Sequence, residues 1–274
     1  MSNIQFQRGA IDAGACVSGG WELIKANYWM FFGMTTLLVV GSIVISCIPL
    51  VGGILFQIVL APPLTVGIYY AVLREMDREP TDFGMMFKGF EKMGTAVLVG
   101  LIQSIPSIIW TIFSFALNIG STMVQIIQQQ TGRRYGMEFA SPNDAAPLIA
   151  GGMLVIIIIA VFVSLIFSIA WGITFYFVYP LIADHDMQPM DAIKLSFSAG
   201  WSNLGGIVVL FIFEFLICLV GVMALCVGIL FVLPIIFAAN AIAFRQVFPN
   251  IRRDMNFNPP PPNVYGSSFG SGMQ

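Results

Sequence analysis

Four long stretches of the chain are almost free of charge. Residues 26–73, 93–132 and 145–183 contain no Asp, Glu, Lys or Arg, and residues 195–244 contain only Glu214. A helix needs about 20 predominantly apolar residues to cross a bilayer. The first and last stretches are long enough for two crossings each. Pro49 and Gly52-Gly53 divide 31–48 from 51–73, and Gly221 to Gly228 divides 206–224 from 227–246. The second stretch stays apolar only to about Ile127, before Gln128-Gln129-Gln130, and gives one crossing. The third gives one more over about 148–178. The apolar runs are continuous and do not alternate, which argues against strands. The pattern predicts an all-α polytopic membrane protein with six transmembrane helices, arranged as three hairpins.

Shorter periodic segments precede the hairpins. Ala10, Val17, Trp21 and Ile24 recur at helical spacing, as do Met190, Ile193, Phe197, Trp201 and Leu204. Phe83, Met86, Phe87, Phe90 and Met93 form a third stripe, with Lys88, Glu91 and Lys92 largely opposite. Steps of three and four place each set on one face of a helix. Such amphipathic helices lie in the membrane interface, with aromatic rings at headgroup level. Pro80 and Pro189 stand near the helix starts, where proline is tolerated, and Asp82 and Asp191 are early enough to cap or to favour the helix dipole.

The two ends of the chain also match one another. Ser18-Gly19-Gly20-Trp21 corresponds to Ser198-Ala199-Gly200-Trp201, and Asp12-Ala13 to Asp191-Ala192. Pro63 stands eleven residues before Arg74, as Pro234 does before Arg245, although the segment between Trp and Pro differs in length by nine residues. The expected organisation is one membrane domain over 1–255, in units of about 10–74, 82–182 and 189–247, followed by a flexible Pro/Gly/Ser-rich tail over 256–274. The middle unit matches weakly, best at Phe87 against Phe197 and at Met93-Gly94 against Leu204-Gly205. The first and third units share one parity in the membrane, so their relation is parallel and not inverted.

Composition agrees with this plan. Hydrophobic residues make up 58% of the chain and charged residues 9%, far below the roughly 25% charged of soluble domains. This excludes a disulfide scaffold, a largely disordered chain and a nucleic-acid binder. Of the 12 basic residues, only Arg133 and Arg134 fall on the side away from the termini. The positive-inside rule therefore places both termini in the cytoplasm, with 118–147 as the one long outer loop. Asp12, Glu22 and Lys25 interrupt the first 30 residues, so no cleavable signal peptide is visible. Cys16, Cys47, Cys218 and Cys226 lack metal spacing and read as small buried hydrophobes, with a Cys47–Cys226 bridge left open.

Candidate chemistry is sparse. Glu214, about ten residues into a crossing, is a costly carboxylate that either carries a proton or cation or hydrogen-bonds between helices. Gln57, Gln103 and Asn240 are intramembrane polar residues, suited to bonding across helices or to lining a cavity. Pro62-Pro63, Pro106 and Pro234 interrupt crossings and kink them. Asp12 with Arg74, and Asp191 with Arg245, are candidate structural pairs pinning each interfacial helix to its own hairpin; arginines reaching lipid phosphate are the alternative. His185, in Asp184-His185-Asp186, reads as a solvated loop residue. There is no GxSxG, HExxH, P-loop or dinucleotide glycine set, so no catalytic residue, cofactor or metal is expected. Pro259 to Pro262 favour polyproline II in the tail.

The segments Tyr179-Pro180-Leu181-Ile182-Ala183-Asp184 and Asp191-Ala192-Ile193-Lys194-Leu195-Ser196, with Trp201 and the stretch from Pro234 to Arg245, resemble a broad group of bacterial six-helix membrane proteins. The group is that of the glycerophosphoryl diester phosphodiesterase membrane domain and its stand-alone relatives. The resemblance implies a bacterial inner-membrane location and an anchoring or accessory role; the soluble catalytic domain fused to some of that group has no counterpart here. Two readings of function follow. The first is a structural, accessory or lipid-organising membrane protein, with membrane lipids as partners and a protein partner or second copy left open. The alternative is a transporter or channel for a small solute or lipid, with Glu214 near the path. Transport requires Glu214 to face a polar cavity; the accessory reading requires it to be sealed in packing or turned to a subunit contact.

Overall fold

The computed structural model describes residues 6–49, 51–135, 142–185, 187–223 and 228–249. The proline tail, Cys226, Asp186, Arg252 and Arg253 lie outside these. Among the described residues every element is helical. In chain order these are α1 (Ala13–Ile24), α2 (Tyr28–Ser46), α3 (Gly52–Leu55), a π turn (Phe56–Leu60), α4 (Ala61–Met76), a 3-10 helix (Phe83–Lys92), α5 (Met93–Tyr135), α6 (Pro142–Phe175), α7 (Val178–His185), α8 (Pro189–Ser202), α9 (Leu204–Met223) and α10 (Gly228–Val247). Six helical segments are long and apolar enough to span a bilayer, from Ala13–Ser46 to Gly228–Val247. The chain is thus an all-α polytopic membrane protein with the six crossings that its charge gaps predict.

Prolines shape the second helix of each hairpin. Pro62 and Pro63 follow directly on the π turn; each lacks an amide hydrogen, so the regular ladder cannot pass through them. Pro180 explains the break between α6 and α7, because its ring would strike the carbonyl four residues back, at Tyr176. The backbone groups freed there are recovered by buried Ser196 of α8. Its hydroxyl donates to the Thr174 carbonyl at 2.8 Å and accepts from the Phe177 amide at 3.1 Å. Such repair by a neighbouring side chain is what allows broken helices in membranes.

The three short helices dock by close backbone approach. α1 packs along α10, the 3-10 helix along α4, and α8 along α6. At each contact a glycine stands where a side chain would collide. A Cβ on Gly20 would lie 2.9 Å from the Ala239 nitrogen; on Gly89, 1.8 Å from the Pro63 carbonyl oxygen; on Gly200, 2.6 Å from the Ile173 carbonyl oxygen. Each short helix therefore seats on the second helix of the preceding hairpin, and α1 closes the circle on the last one.

Their outward faces are aromatic. Trp21, Phe83, Phe87, Phe197 and Trp201 are all exposed. Small residues face the bundle instead: Ala13, Cys16 and Gly20 in α1, Ala192, Ser196, Ala199 and Gly200 in α8. The stripes read from the sequence mostly point outward, with Ile24 and Met86 as exceptions that turn into the core. Residues 83–92 form a 3-10 helix, not an α-helix, and residues three apart are then eclipsed.

Three expectations are corrected. Most of the outer loop proposed over 118–147 is helical, since α5 continues to Tyr135 and α6 begins at Pro142. No strong breaker falls between Gly120 and Gly132, and glutamine is a good helix former. The 43 residues of α5 extend about 65 Å, roughly twice the hydrocarbon thickness. Cys16 is buried as expected, but Cys47 is exposed and Cys218 only half-buried; all three are free thiols. His185 ends α7 beside Asp184, with its ring edge-on to Phe244, and is not part of an open loop.

Candidate functional site

A cavity of about 1000 Å³ lies between the π turn and α4, α5 and α6. Among the described residues its walls carry no Asp, Glu, Lys or Arg. Gln57 enters it from the π turn; Gln103, Ser107 and Trp110 from α5; Ser164, Phe167, Ser168 and Trp171 from α6; Tyr179 from α7. π turns within α-helices recur at functional sites, because the extra residue redirects a side chain. Gly100 pins α5 to α4 beside the cavity: a Cβ there would sit 2.4 Å from the Pro62 ring. Inside the cavity wall, the Trp171 indole donates to the Gln103 carbonyl at 3.1 Å, and the Tyr179 hydroxyl donates to the Gln103 side-chain oxygen. The Gln103 amide nitrogen remains directed as a donor. Among the described residues, the Gln57 side chain has no protein partner.

A second polar cluster lies apart from this cavity. The Tyr176 hydroxyl donates to the Asn240 side-chain oxygen, and Glu214 stands beside Asn240. One Glu214 oxygen, Oε1, is buried without a hydrogen-bond partner. Glu214 and Asn240 do not line the large cavity. The four intramembrane residues singled out in the sequence thus divide into two pairs: Gln57 with Gln103 at the cavity, Glu214 with Asn240 in packing.

The expected pairs of aspartate and arginine are differently partnered. Asp12 caps α1, accepting from the Ala15 amide at 3.0 Å, while its own amide donates to Gln246 at 2.9 Å. Arg74 meets Glu79 at 3.1 Å and stands over the Tyr70 ring. Asp191 is exposed in the first turn of α8, where its charge favours the helix dipole. Arg245 forms a bidentate pair with Asp184, at 2.7 and 3.0 Å, and reaches Asp77 at 3.4 Å. The physical reason lies in the circular docking: the C-terminal ends of α4, α7 and α10 converge, so Arg245 joins three hairpins instead of closing its own. Its fork matches one carboxylate bidentately and has a donor left for the second.

Some structural polar residues left little trace in the sequence. Asn203, only 2% exposed, accepts from the Ala10 amide and donates to the Gln7 and Ala199 carbonyls. It ties the N-terminal segment to α8. The one available signal was a polar residue directly after Trp201-Ser202 and before an apolar run, which is also how an ordinary helix cap looks. Among the described residues, no group of His, Cys, Asp and Glu is placed to hold a metal ion.

Compared with known proteins, the chain matches no family model, no curated protein and no solved structure.

Proposed function

We propose that this integral membrane protein has a structural, accessory or lipid-organising role in the bacterial cytoplasmic membrane. The observation that carries the reading is the threefold recurrence of one device. A short helix seats a glycine against the bundle and turns aromatic residues outward. Aromatic side chains of this kind are favoured at headgroup level. Three such faces around one bundle offer a wide contact with lipid. Ten of the twelve basic residues fall at the end holding the termini, which supports termini in the cytoplasm. The circular docking supports reading the chain as three repeated units, with Gly20, Gly89 and Gly200 in equivalent places.

The resemblance to the glycerophosphoryl diester phosphodiesterase membrane-domain group is consistent with this role. The residues that carry it sit at joints of the fold. Pro180 breaks a helix, Ser196 repairs the break, Tyr179 holds Gln103 and Asp184 holds Arg245. They bear on architecture and bring no catalytic group.

The alternative, a transporter or channel, draws on the cavity at Gln57 and Gln103. It loses the feature that first suggested it, because Glu214 lies outside that cavity. The test is the deuterium order of chain-labelled phosphatidylethanolamine in vesicles holding the full chain. Order should rise with protein content and fall back when Phe87, Phe197 and Trp201 are replaced by serine. Order indifferent to those rings would contradict the lipid-organising role, and steady release of a small polar dye would favour transport.

A further inference from the structure

The mouth of the 1000 Å³ cavity is apolar and lies within two membrane-spanning segments, Phe83–Ile112 and Val161–His185. Ile109, Trp110 and Phe167 line it and are 61%, 52% and 51% exposed. Their neighbours Ile105, Ile108, Ile112, Phe162 and Ile166 are exposed as well. An opening framed by such residues faces acyl chains and not water. Its volume lies at the upper end of small-molecule sites, about 300–1,000 Å³.

The same lining also carries amides. Among the described residues the Gln57 side chain has no protein partner, and the Tyr179 hydroxyl occupies the Gln103 side-chain oxygen, leaving its amide nitrogen to donate. An unsatisfied amide in hydrocarbon is costly, so a bilayer-exposed pocket of this kind favours an occupant with acceptors. Among the described residues the walls carry no formal charge, which gives no electrostatic preference for an anionic or a cationic headgroup.

We infer that this cavity is a lateral binding site for one diacyl glycerolipid, admitted from the bilayer between α5 and α6. An acyl chain lies against Phe167, Trp171 and Trp110, and ester carbonyls accept from Gln57 and Gln103. The site recognises the glycerol-ester region and is indifferent to the headgroup. This inference rests on the lipid-contacting reading above and gives it a specific ligand class.

The experiment uses the full chain in nanodiscs of phosphatidylethanolamine and phosphatidylglycerol. Each lipid is doped in turn with an analogue carrying a diazirine in the acyl chain, and adducts are mapped by mass spectrometry after illumination. α9 supplies the internal standard, since Ile212, Phe215 and Val220 are 54%, 66% and 67% exposed and far from the cavity mouth in sequence. Adducts on 57–65, 103–110 and 164–172 should exceed those on α9 several-fold with both probes. Gly172→Trp should fill the space, because a Cβ at Gly172 meets nothing within 4 Å. In that variant, cavity adducts should fall to the α9 level while α9 adducts stay unchanged.

Cavity labelling no greater than on α9, or untouched by Gly172→Trp, would overturn the site. So would labelling by only one of the two headgroups. Fast modification of Ser168→Cys by a membrane-impermeant thiol reagent, in a cysteine-free background, would make the cavity an aqueous vestibule and overturn it too. Failure of the underlying reading is separable: it would show as missing α9 adducts, whereas failure of the site alone leaves them in place.

Discussion

Tyr176 and Tyr179 stand three residues apart across the break between α6 and α7, and they do the same local thing to opposite effect. Each hydroxyl donates to a side-chain amide oxygen, Asn240 for one and Gln103 for the other. Around Asn240 the helices close, and Glu214 Oε1 is buried. Around Gln103 they part, and the amide nitrogen is left to the cavity. A polar pair within a membrane is therefore not in itself a site. What decides is whether the neighbouring backbone can approach, and here glycines decide it. Gly20 brings α1 within atomic contact of Ala239, next to Asn240, while Gly172 faces open space in the cavity wall.

Substitutions can break or sharpen this contrast. The largest effect belongs to Arg245, whose side chain is 11% exposed and whose removal strands Asp184 and Asp77 together. Arg245→Met should cost about 3 kcal/mol, at the lower end of values for breaking a buried pair, read as a fall in the unfolding midpoint of the purified protein. Arg245→Lys should recover only part, because a point charge cannot make the bidentate contact.

Next comes the glycine contrast. Gly20→Ala places a methyl 2.9 Å from the Ala239 nitrogen, and such overpacking costs about 1–3 kcal/mol. Gly172→Ala should be neutral, or stabilising by up to about 1 kcal/mol from helix propensity. Equal losses at both positions in thermal melts would remove the distinction between closed and open sides.

The polar pairs come third. Asn240→Leu leaves the Tyr176 hydroxyl without its partner, at about 1–3 kcal/mol. Gln57→Leu removes an amide that bonds to nothing in the protein and should leave the melting curve of delipidated protein within about 0.5 kcal/mol of the parent. A larger loss at Gln57 than at Asn240 would reverse the assignment of closed and open.

The smallest effect is at Arg78, which has a φ of +55° just past α4. A left-handed conformation costs a non-glycine residue about 1–2 kcal/mol. Arg78→Gly should therefore raise the unfolding midpoint slightly, and a decrease would show that the guanidinium makes a compensating contact.

Much of this architecture was legible from the chain because hydrocarbon imposes a simple code. Charge gaps gave the six crossings, and helical periodicity gave the three aromatic faces. At the ends of α5 and α6 polarity reads as a loop, although glutamines continue a helix nearly as well as alanines. Pairing was less legible. Asp12 and Arg74 flank the first hairpin, yet α1 docks on α10, which no local spacing reveals. Of the candidate site, Gln57 and Gln103 were visible as polar residues in apolar runs. Nothing in the sequence distinguished them from Glu214 and Asn240, because whether a polar group opens on a cavity depends on helices distant along the chain.

The most direct measurement is the membrane depth of nitroxide labels placed one at a time at Trp21, Phe87, Trp201, Ile109 and Phe167, read from oxygen and nickel-chelate accessibility in phosphatidylethanolamine and phosphatidylglycerol vesicles. The first three should share one depth near the headgroups, and the last two should lie deeper, among acyl chains. Labels at Trp21, Phe87 and Trp201 that report bulk water, or three unrelated depths, would contradict three aromatic faces acting together on the lipid.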